Sequence, residues 1–291
     1  MIISRGEKIF LAINNVILGI FSVLVIYPFI YVLAASLSSP DAVRNASVWL
    51  FPRDATLSAY IDLLSNKDIW IAYWNTIYIA GVGTLVNLVL TVCGAYPLSK
   101  QRLKGRTFIS FMITFTMWFQ AGMIPFYLNL RDLNLLNKRE TLIIAFGIAT
   151  FNVIILRTFF QSLPVSLEES AKIDGASDLQ VLLRIYLPLS KAALATIGLF
   201  YLVNRWNGYF WAMLILRNKE DIPLQVFLRK IIIEMTMLEN AASGSADRAA
   251  DYSAETFVYA TIVVSIIPVI LVYPVLQKYF VKGVMLGSVK G

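Results

Sequence analysis

An all-α integral membrane protein is the fold class that the sequence predicts, on three observations. Hydrophobic residues make up 58% of the 291-residue chain and charged residues only 15%. Charge-free apolar runs recur along it, beginning with Ile9 to Pro40, and about 20 apolar residues suffice for a helix to cross a bilayer. Between two such runs lies a polar island, Pro164 to Lys191, which reads as two short helices joined by a glycine turn. The absence of histidine and a single cysteine, Cys93 inside an apolar run, exclude a disulfide framework and an ordinary zinc site, so no metal ligands are assigned. The net charge of +7 comes from bases clustered beside the apolar runs, as membrane topology requires. The lipid bilayer, and not nucleic acid, is therefore the expected partner of that charge.

Taken in order, the chain reads as one transmembrane domain, 1–291, with six helical spans at about 9–37, 72–98, 107–130, 141–163, 192–216 and 256–280. The first span follows Arg5 and Lys8; a cleaved signal peptide ending near Ala34-Ala35-Ser36 is the competing reading, disfavoured because the apolar run exceeds an ordinary leader core. A mixed loop, Ser38 to Tyr73, precedes the second span. The connection after that span is short and basic, with Lys100, Arg102, Lys104 and Arg106. Arg217 to Glu255 reads as a long polar loop, with Asn240 to Ser245 as a flexible part of it, and the tail carries Lys278, Lys282 and Lys290. The basic connection and the tail against acidic loops after spans one and five place both termini and the polar island in the cytoplasm. There is no 20–50-residue repeat and no low-complexity tract.

Within the island, 164–191, Ser166 followed by Glu169 reads as a capping box for the first helix, and Ser177 followed by Gln180 as one for the second. Gly175 supplies the turn, since a left-handed backbone costs glycine little. Pro188 marks where the second helix ends or kinks. Glu168 and Glu169 lie near the N-terminus of the first helix, well placed for an arginine of a partner. Leu179, Leu182 and Leu183 give the second helix an apolar anchoring face. A doubly capped helix pair between two spans reads as a docking surface.

Glu169-Ser170-Ala171, three residues, Gly175, nine residues, then Ile185-Tyr186-Leu187-Pro188 resembles the EAA loop of ATP-binding-cassette importer permeases, with Ser170 for the first alanine. Trp206-Asn207, Pro223-Leu224-Gln225 and the ending from Lys278 to Gly291 are similar to the carbohydrate-uptake branch, in particular to the smaller six-span subunit of the maltose transporter. The resemblance implies a bacterial cytoplasmic (inner) membrane location, a second homologous permease subunit, two ATPase subunits, an extracytoplasmic solute-binding protein and a carbohydrate substrate. It implies that Glu168, Glu169, Ser170, Ala171, Asp174, Gly175, Leu179, Leu182, Leu183 and Pro188 couple to the ATPase, and that the tail from Val281 reaches toward it. ATP and Mg would bind the partner ATPase subunits and no cofactor this chain.

The chain itself lacks catalytic machinery: a phosphate-cradling loop needs a Gly-Lys pair, and none occurs. Of its 25 basic and 18 acidic residues, only Arg205 lies deep inside a span. A cation there should face a cavity or a partner. Tyr201, Asn204, Arg205 and Asn207 in the fifth span are expected to line the substrate path, with Asn87, Gln120 and Asn152 near mid-depth in other spans and Trp206 as a packing residue. The alternative is that such residues bond across helices and hold the bundle together. A guanidinium beside amides and a tyrosine suits an oligosaccharide, and an acidic one such as a uronate chain in particular. Pro28, Pro97, Pro125, Pro268 and Pro274, in or at the ends of spans, suit kinked helices. The other readings are an importer permease for a non-sugar solute and a stand-alone secondary transporter.

Overall fold

The computed structural model describes residues 4–242 and 254–288, so the flexible stretch read from Asn240 lies outside the described residues from position 243 onward, as does the tail from 289. Every regular element among the described residues is helical. In chain order these are α1 (Arg5–Ser36), α2 (Pro40–Arg44), α3 (Ser58–Ser65), α4 (Lys67–Ser99), α5 (Arg106–Trp118), α6 (Met123–Asp132), α7 (Arg139–Ile144), α8 (Thr150–Ser162), α9 (Val165–Ile173) and α10 (Asp178–Val181). A π-helical turn (Leu182–Tyr186), α11 (Leu187–Leu189), α12 (Lys191–Asn207), α13 (Phe210–Ile215), a 3-10 turn (Lys219–Asp221), α14 (Leu224–Ala242) and α15 (Ala254–Ser288) follow. The contacts divide the chain into two compact units, residues 1–69 with 228–268 and residues 70–227 with 269–291.

In the first unit, α1 starts on a capping box formed by Ser4 and Glu7 and runs through Pro28 to Ser36. Its large apolar side chains from Ile9 to Leu33 are almost all exposed, the pattern of a helix apolar all round, which needs an apolar surrounding. Only its end packs, with Ala34 and Ala35 against Ala42, Val43 and Val48, and Tyr31 edge-on to Tyr259 at 5.9 Å.

In the second unit, α4, α8, α12 and the 178–186 segment share one core built from Ala95, Tyr96, Leu156, Phe160, Val181, Tyr186, Ile197 and Tyr201. Three segments here depart from the straight spans expected. The third breaks at Phe119 to Gly122, and α5 and α6 diverge by 111°. The fourth breaks between Ile144 and Thr150, and the fifth at Gly208-Tyr209. Each break holds a glycine, Gly122, Gly147 or Gly208, and glycine costs a helix interior about 1 kcal/mol relative to alanine. Pro125 falls in the first turn of α6, where its missing N–H has no intrahelical partner to lose. By length and composition three helical stretches among the described residues can cross a membrane, Gly6–Ser36, Lys67–Ser99 and Glu255–Val272, and the bent pairs α5–α6 and 178–189 with α12 (81°) pass only when each is counted as one span. The polar loop read from Arg217 to Glu255 is corrected as well, because it contains α14. Phe227, Leu228 and Ile231 recur there at helical spacing and are buried.

Asn75, 1% exposed, fastens the segment before α14. Its amide donates to the carbonyls of Glu220 (2.7 Å) and Ile222 (3.1 Å), and its oxygen accepts from the Arg139 guanidinium at 2.8 Å. The Leu224 amide donates to Thr76 Oγ1 at 2.7 Å. Asn75→Ala orphans buried groups on both sides and is expected to cost about 1–3 kcal/mol; a lowered midpoint of thermal inactivation for the purified protein checks it, and an unchanged midpoint refutes the fastening role.

Candidate functional site: the polar island and the mid-span cleft

The island folds as a helix pair, with one correction at its start. α9 begins at Val165, with Pro164 at the N-cap and no side-chain cap. Ser166 is therefore already inside the first turn and forms no capping box; the φ of −58° at Pro164 sets the helix entry two residues earlier. Ser177 and Gln180 do form the second box. Asp174 closes α9 and is exposed, and Gly175 takes φ +80°, where a side chain would be strained. Pro188 lies in the last turn before the chain bends into α12. The π turn just before it carries a Leu187 N–H to Leu182 carbonyl bond. Widening the helix there relieves the clash between a proline ring and the carbonyl four residues back.

The second correction concerns Glu168. It is turned inward: its carboxylate accepts from Lys100 Nζ at 2.6 Å and from the Tyr186 hydroxyl at 2.9 Å, with Arg102 3.8 Å away. The Lys100 and Glu168 side chains are only 9% and 15% exposed. Lys100 also sits over the Tyr186 ring, 3.6 Å from its centroid, and near Tyr96 at 4.3 Å. At the start of α10, Asp178 pairs with Lys172 at 2.8 Å and with Arg102, while Tyr96 donates to the Asp178 carbonyl at 3.1 Å. The basic connection after α4 is thus latched to both helices of the island. Burial pulls the Lys100 ammonium below its ordinary pKa, the Glu168 contact offsetting part of that. Burial alone would raise Glu168, but the hydrogen bonds from Lys100 and Tyr186 and the charges of Lys100 and Arg102 hold it below the ordinary carboxylate value.

The exposed residues of the island include Glu169, Ser170, Ile173, Leu179 and Leu183, with Ile173 at 87%, and also Val165, Leu167 and Pro188. Leu182, expected on the anchoring face, packs instead in the core of its own chain, and Ala171 lies half-buried against that core. Ile173 was not singled out in the sequence, although it is apolar and next to the turn that displays it.

Some 30 residues on, a cleft of about 730 Å³ opens beside the breaks in the fourth and fifth segments. Asn204, Arg205 and Asn207 line it together with Phe146, Phe200, Tyr209, Phe210 and Trp211. Trp211 meets Phe126 edge-on at 4.9 Å and Phe146 at 5.7 Å. The other expected path residues lie elsewhere. Tyr201 is buried: its hydroxyl bonds Thr91 at 2.7 Å and accepts from the Ala149 amide at 3.1 Å. Asn87 is fully buried and donates to the carbonyls of Phe146 (2.7 Å) and Gly147 (2.8 Å). Asn152 is buried on α8, and Gln120 is exposed in the break between α5 and α6 and so not inside a helical span. Arg205 is half-buried and donates to Asn87 Oδ1 (2.9 Å) and to the carbonyls of Leu142, Ile143 (3.1 Å) and Phe146 (2.8 Å). Helix spacing had put Tyr201 and Asn204 on one face, but it could not show that the fourth segment is broken and offers free carbonyls. The glycine inside that segment was the available signal.

Removing one member of a buried ion pair strands the other and costs about 3 kcal/mol or more. Glu168→Gln is therefore expected to speed hydrogen exchange across 165–190, while Glu169→Gln, an exposed change, leaves it as it was. Because the Glu168 pKa is lowered in the fold, the latch is fully present above the ordinary carboxylate pKa and is lost as pH falls through the lowered one. Equal exchange in the two variants would mean that the latch does not hold the island.

Residues 3–286 match the family described as the binding-protein-dependent transport system inner membrane component. Over 288 residues the chain is 40% identical to Protein LplC of Bacillus subtilis (strain 168), covering 99% of this chain and 97% of that one. It is 42% identical over 273 residues to the polygalacturonan/rhamnogalacturonan transport system permease protein YtcP of the same organism, covering 93% and 94%. Among solved structures it is similar to a chain of a bacterial ABC transporter involved in the import of the acidic polysaccharide alginate, with 49% identity, a TM-score of 0.88, and 96% and 99% of the two chains covered. With nearly its whole length matched, this chain belongs to the family of binding-protein-dependent transport system inner membrane components, the permease subunits of ATP-binding-cassette importers.

Proposed function

We propose that this chain is one of two permease subunits that form the path for an acidic oligosaccharide, handed over by a solute-binding protein and driven by two separate ATPase subunits that bind ATP and Mg. The observation that carries the substrate class is the 49% identity to the alginate importer chain across 96% of this one; the polygalacturonan/rhamnogalacturonan transport system permease at 42% points the same way. The cleft suits a sugar: two amides, Asn204 and Asn207, face aromatic rings of Phe146, Tyr209 and Trp211, and ring faces with a few polar groups are what a carbohydrate site offers. Basic segments flanking the spans favour cytoplasmic termini and a cytoplasmic island.

In this reading the ATPase docks on the exposed face of Glu169, Ile173, Leu179 and Leu183, while Glu168 and Lys100 hold that face in place from within and Asp178 ties it at the surface. Nucleotide-driven closure of the ATPases moves the island, and the spans attached to it follow.

The test is co-purification from detergent with the partner subunits, followed by ATPase assays in proteoliposomes with the solute-binding protein. Glu169→Arg is expected to lose the ATPase subunits and keep the second permease, and uronate oligosaccharides are expected to stimulate wild-type ATP hydrolysis more than neutral ones of equal length. Retention of the ATPase by Glu169→Arg overturns the docking face. Stimulation by neutral glycans alone overturns the substrate class.

A further inference from the structure

Two side-chain pairs, each spaced by one helical turn, close on the break in the fourth segment. On α12, Arg205 takes the carbonyls of Leu142, Ile143 and Phe146 at the end of α7, and four residues earlier Tyr201 takes the Ala149 amide at the start of α8. On α4, Asn87 takes the carbonyls of Phe146 and Gly147 and orients Arg205 through its Oδ1, and four residues later Thr91 bonds Tyr201. Residues four apart share a helix face, so the pairs meet as two rungs. Asn87 and Thr91 are fully buried and Tyr201 is 5% exposed. Small residues make the approach possible: a Cβ on Gly83 would lie 3.2 Å from Arg205 Nε, and one on Gly147 would lie 2.9 Å from Leu90 Cδ1.

All three guanidinium nitrogens of Arg205 already donate, and among the described residues lining the cleft Arg205 is the only charged one. Turning it toward a substrate carboxylate would take the guanidinium from the helix-end carbonyls of Leu142 and Ile143 and leave that of Phe146 to Asn87 alone. Phe146 and Leu142, whose carbonyls it holds, themselves line the cleft.

We infer that Arg205, with Asn87, Tyr201 and Thr91, positions the wall of the cleft and does not bind the acidic groups of the substrate. The cleft of this subunit then recognises sugar rings and hydroxyls, and selection for acidic chains is made by another subunit. The inference rests on the reading of the cleft as the sugar path, and hydrogen exchange judges the clasp separately from transport.

The experiment uses the assembled transporter in nanodiscs or proteoliposomes. Tyr201→Phe removes one hydroxyl that does not line the cleft. It is expected to raise exchange at 145–149 about fivefold, the size of one lost hydrogen bond, with the ATPase subunits still bound. Half-saturating concentrations for uronate and neutral oligosaccharides should rise by the same factor. Arg205→Gln should do likewise, with the double variant no worse than Arg205→Gln alone, since residues that act as a unit are not additive. Thr91→Val should follow Tyr201→Phe, and Thr91→Ser should restore exchange and transport together. The inference is overturned if Arg205→Gln impairs uronate transport while sparing neutral sugars, or if Tyr201→Phe leaves exchange at 145–149 unchanged. Should wild-type protein move no oligosaccharide at all, the sugar-path reading fails, and the exchange data still decide the clasp.

Discussion

Inside a bilayer a backbone amide or carbonyl that loses its helical partner finds no water to replace it. A chain whose third, fourth and fifth apolar segments are interrupted has to satisfy those groups from within. The fourth segment shows how. Its break exposes the end of one helix and the beginning of the next, and a cation and a phenol from a single neighbouring helix cover the two ends. The cation is Arg205, and its contacts to Leu142, Ile143 and Phe146 explain how an apolar segment holds a charge that has no carboxylate partner among the described residues. A helix end concentrates partial negative charge on its last carbonyls, and a guanidinium with several donors matches several of them at once. The aromatic wall of the cleft, Phe146 against Trp211 and Phe126, sits on this arrangement.

The same economy governs the polar island. Lys100 is buried between two tyrosine rings and a carboxylate. Hydrogen bonds from Tyr186 and Lys100 satisfy Glu168, and Tyr186 packs against Phe160 and Tyr96 in the hydrophobic core. Of the two adjacent glutamates, then, one is an internal fastener and the other faces outward. That division follows from helix geometry: neighbours in sequence are about 100° apart around the axis, so one side of α9 cannot present both.

How far the sequence could be read depends on the range of the physics involved. Apolar runs, the Ser177–Gln180 box and the left-handed Gly175 are local, and all three were legible. Ser166 was misread because Pro164 sets the helix start from outside the capping pattern. Breaks within apolar segments were missed because each costs little locally and is offset by contacts about 60 residues away, such as Asn87 to Phe146 and Gly147. The amphipathic α14 was hidden by the charges around it. Arg205 stood out as the one cation at depth, but its partners are main-chain carbonyls, which no residue pattern reveals.

The latch and the clasp share two helices. α4 carries Asn87, Thr91 and Tyr96 and ends one residue before Lys100, so roughly 20 Å of helix separates the clasp from the latch at 1.5 Å per residue. α12 leaves the island at Lys191 and carries Tyr201 and Arg205. A displacement of the island therefore has two helices along which to reach the wall of the cleft: α4, whose clasp residues and the Lys100 that follows it make buried contacts, and α12, which starts beyond an 81° bend. If the ATPase docks on the exposed face of the island, as proposed, the force enters at one end of these helices and the sugar path lies at the other. Transmission over such a distance needs elements that shift without bending. The breaks fall in the segments that wall the cleft, and α4 and α12 run without one between the two sites.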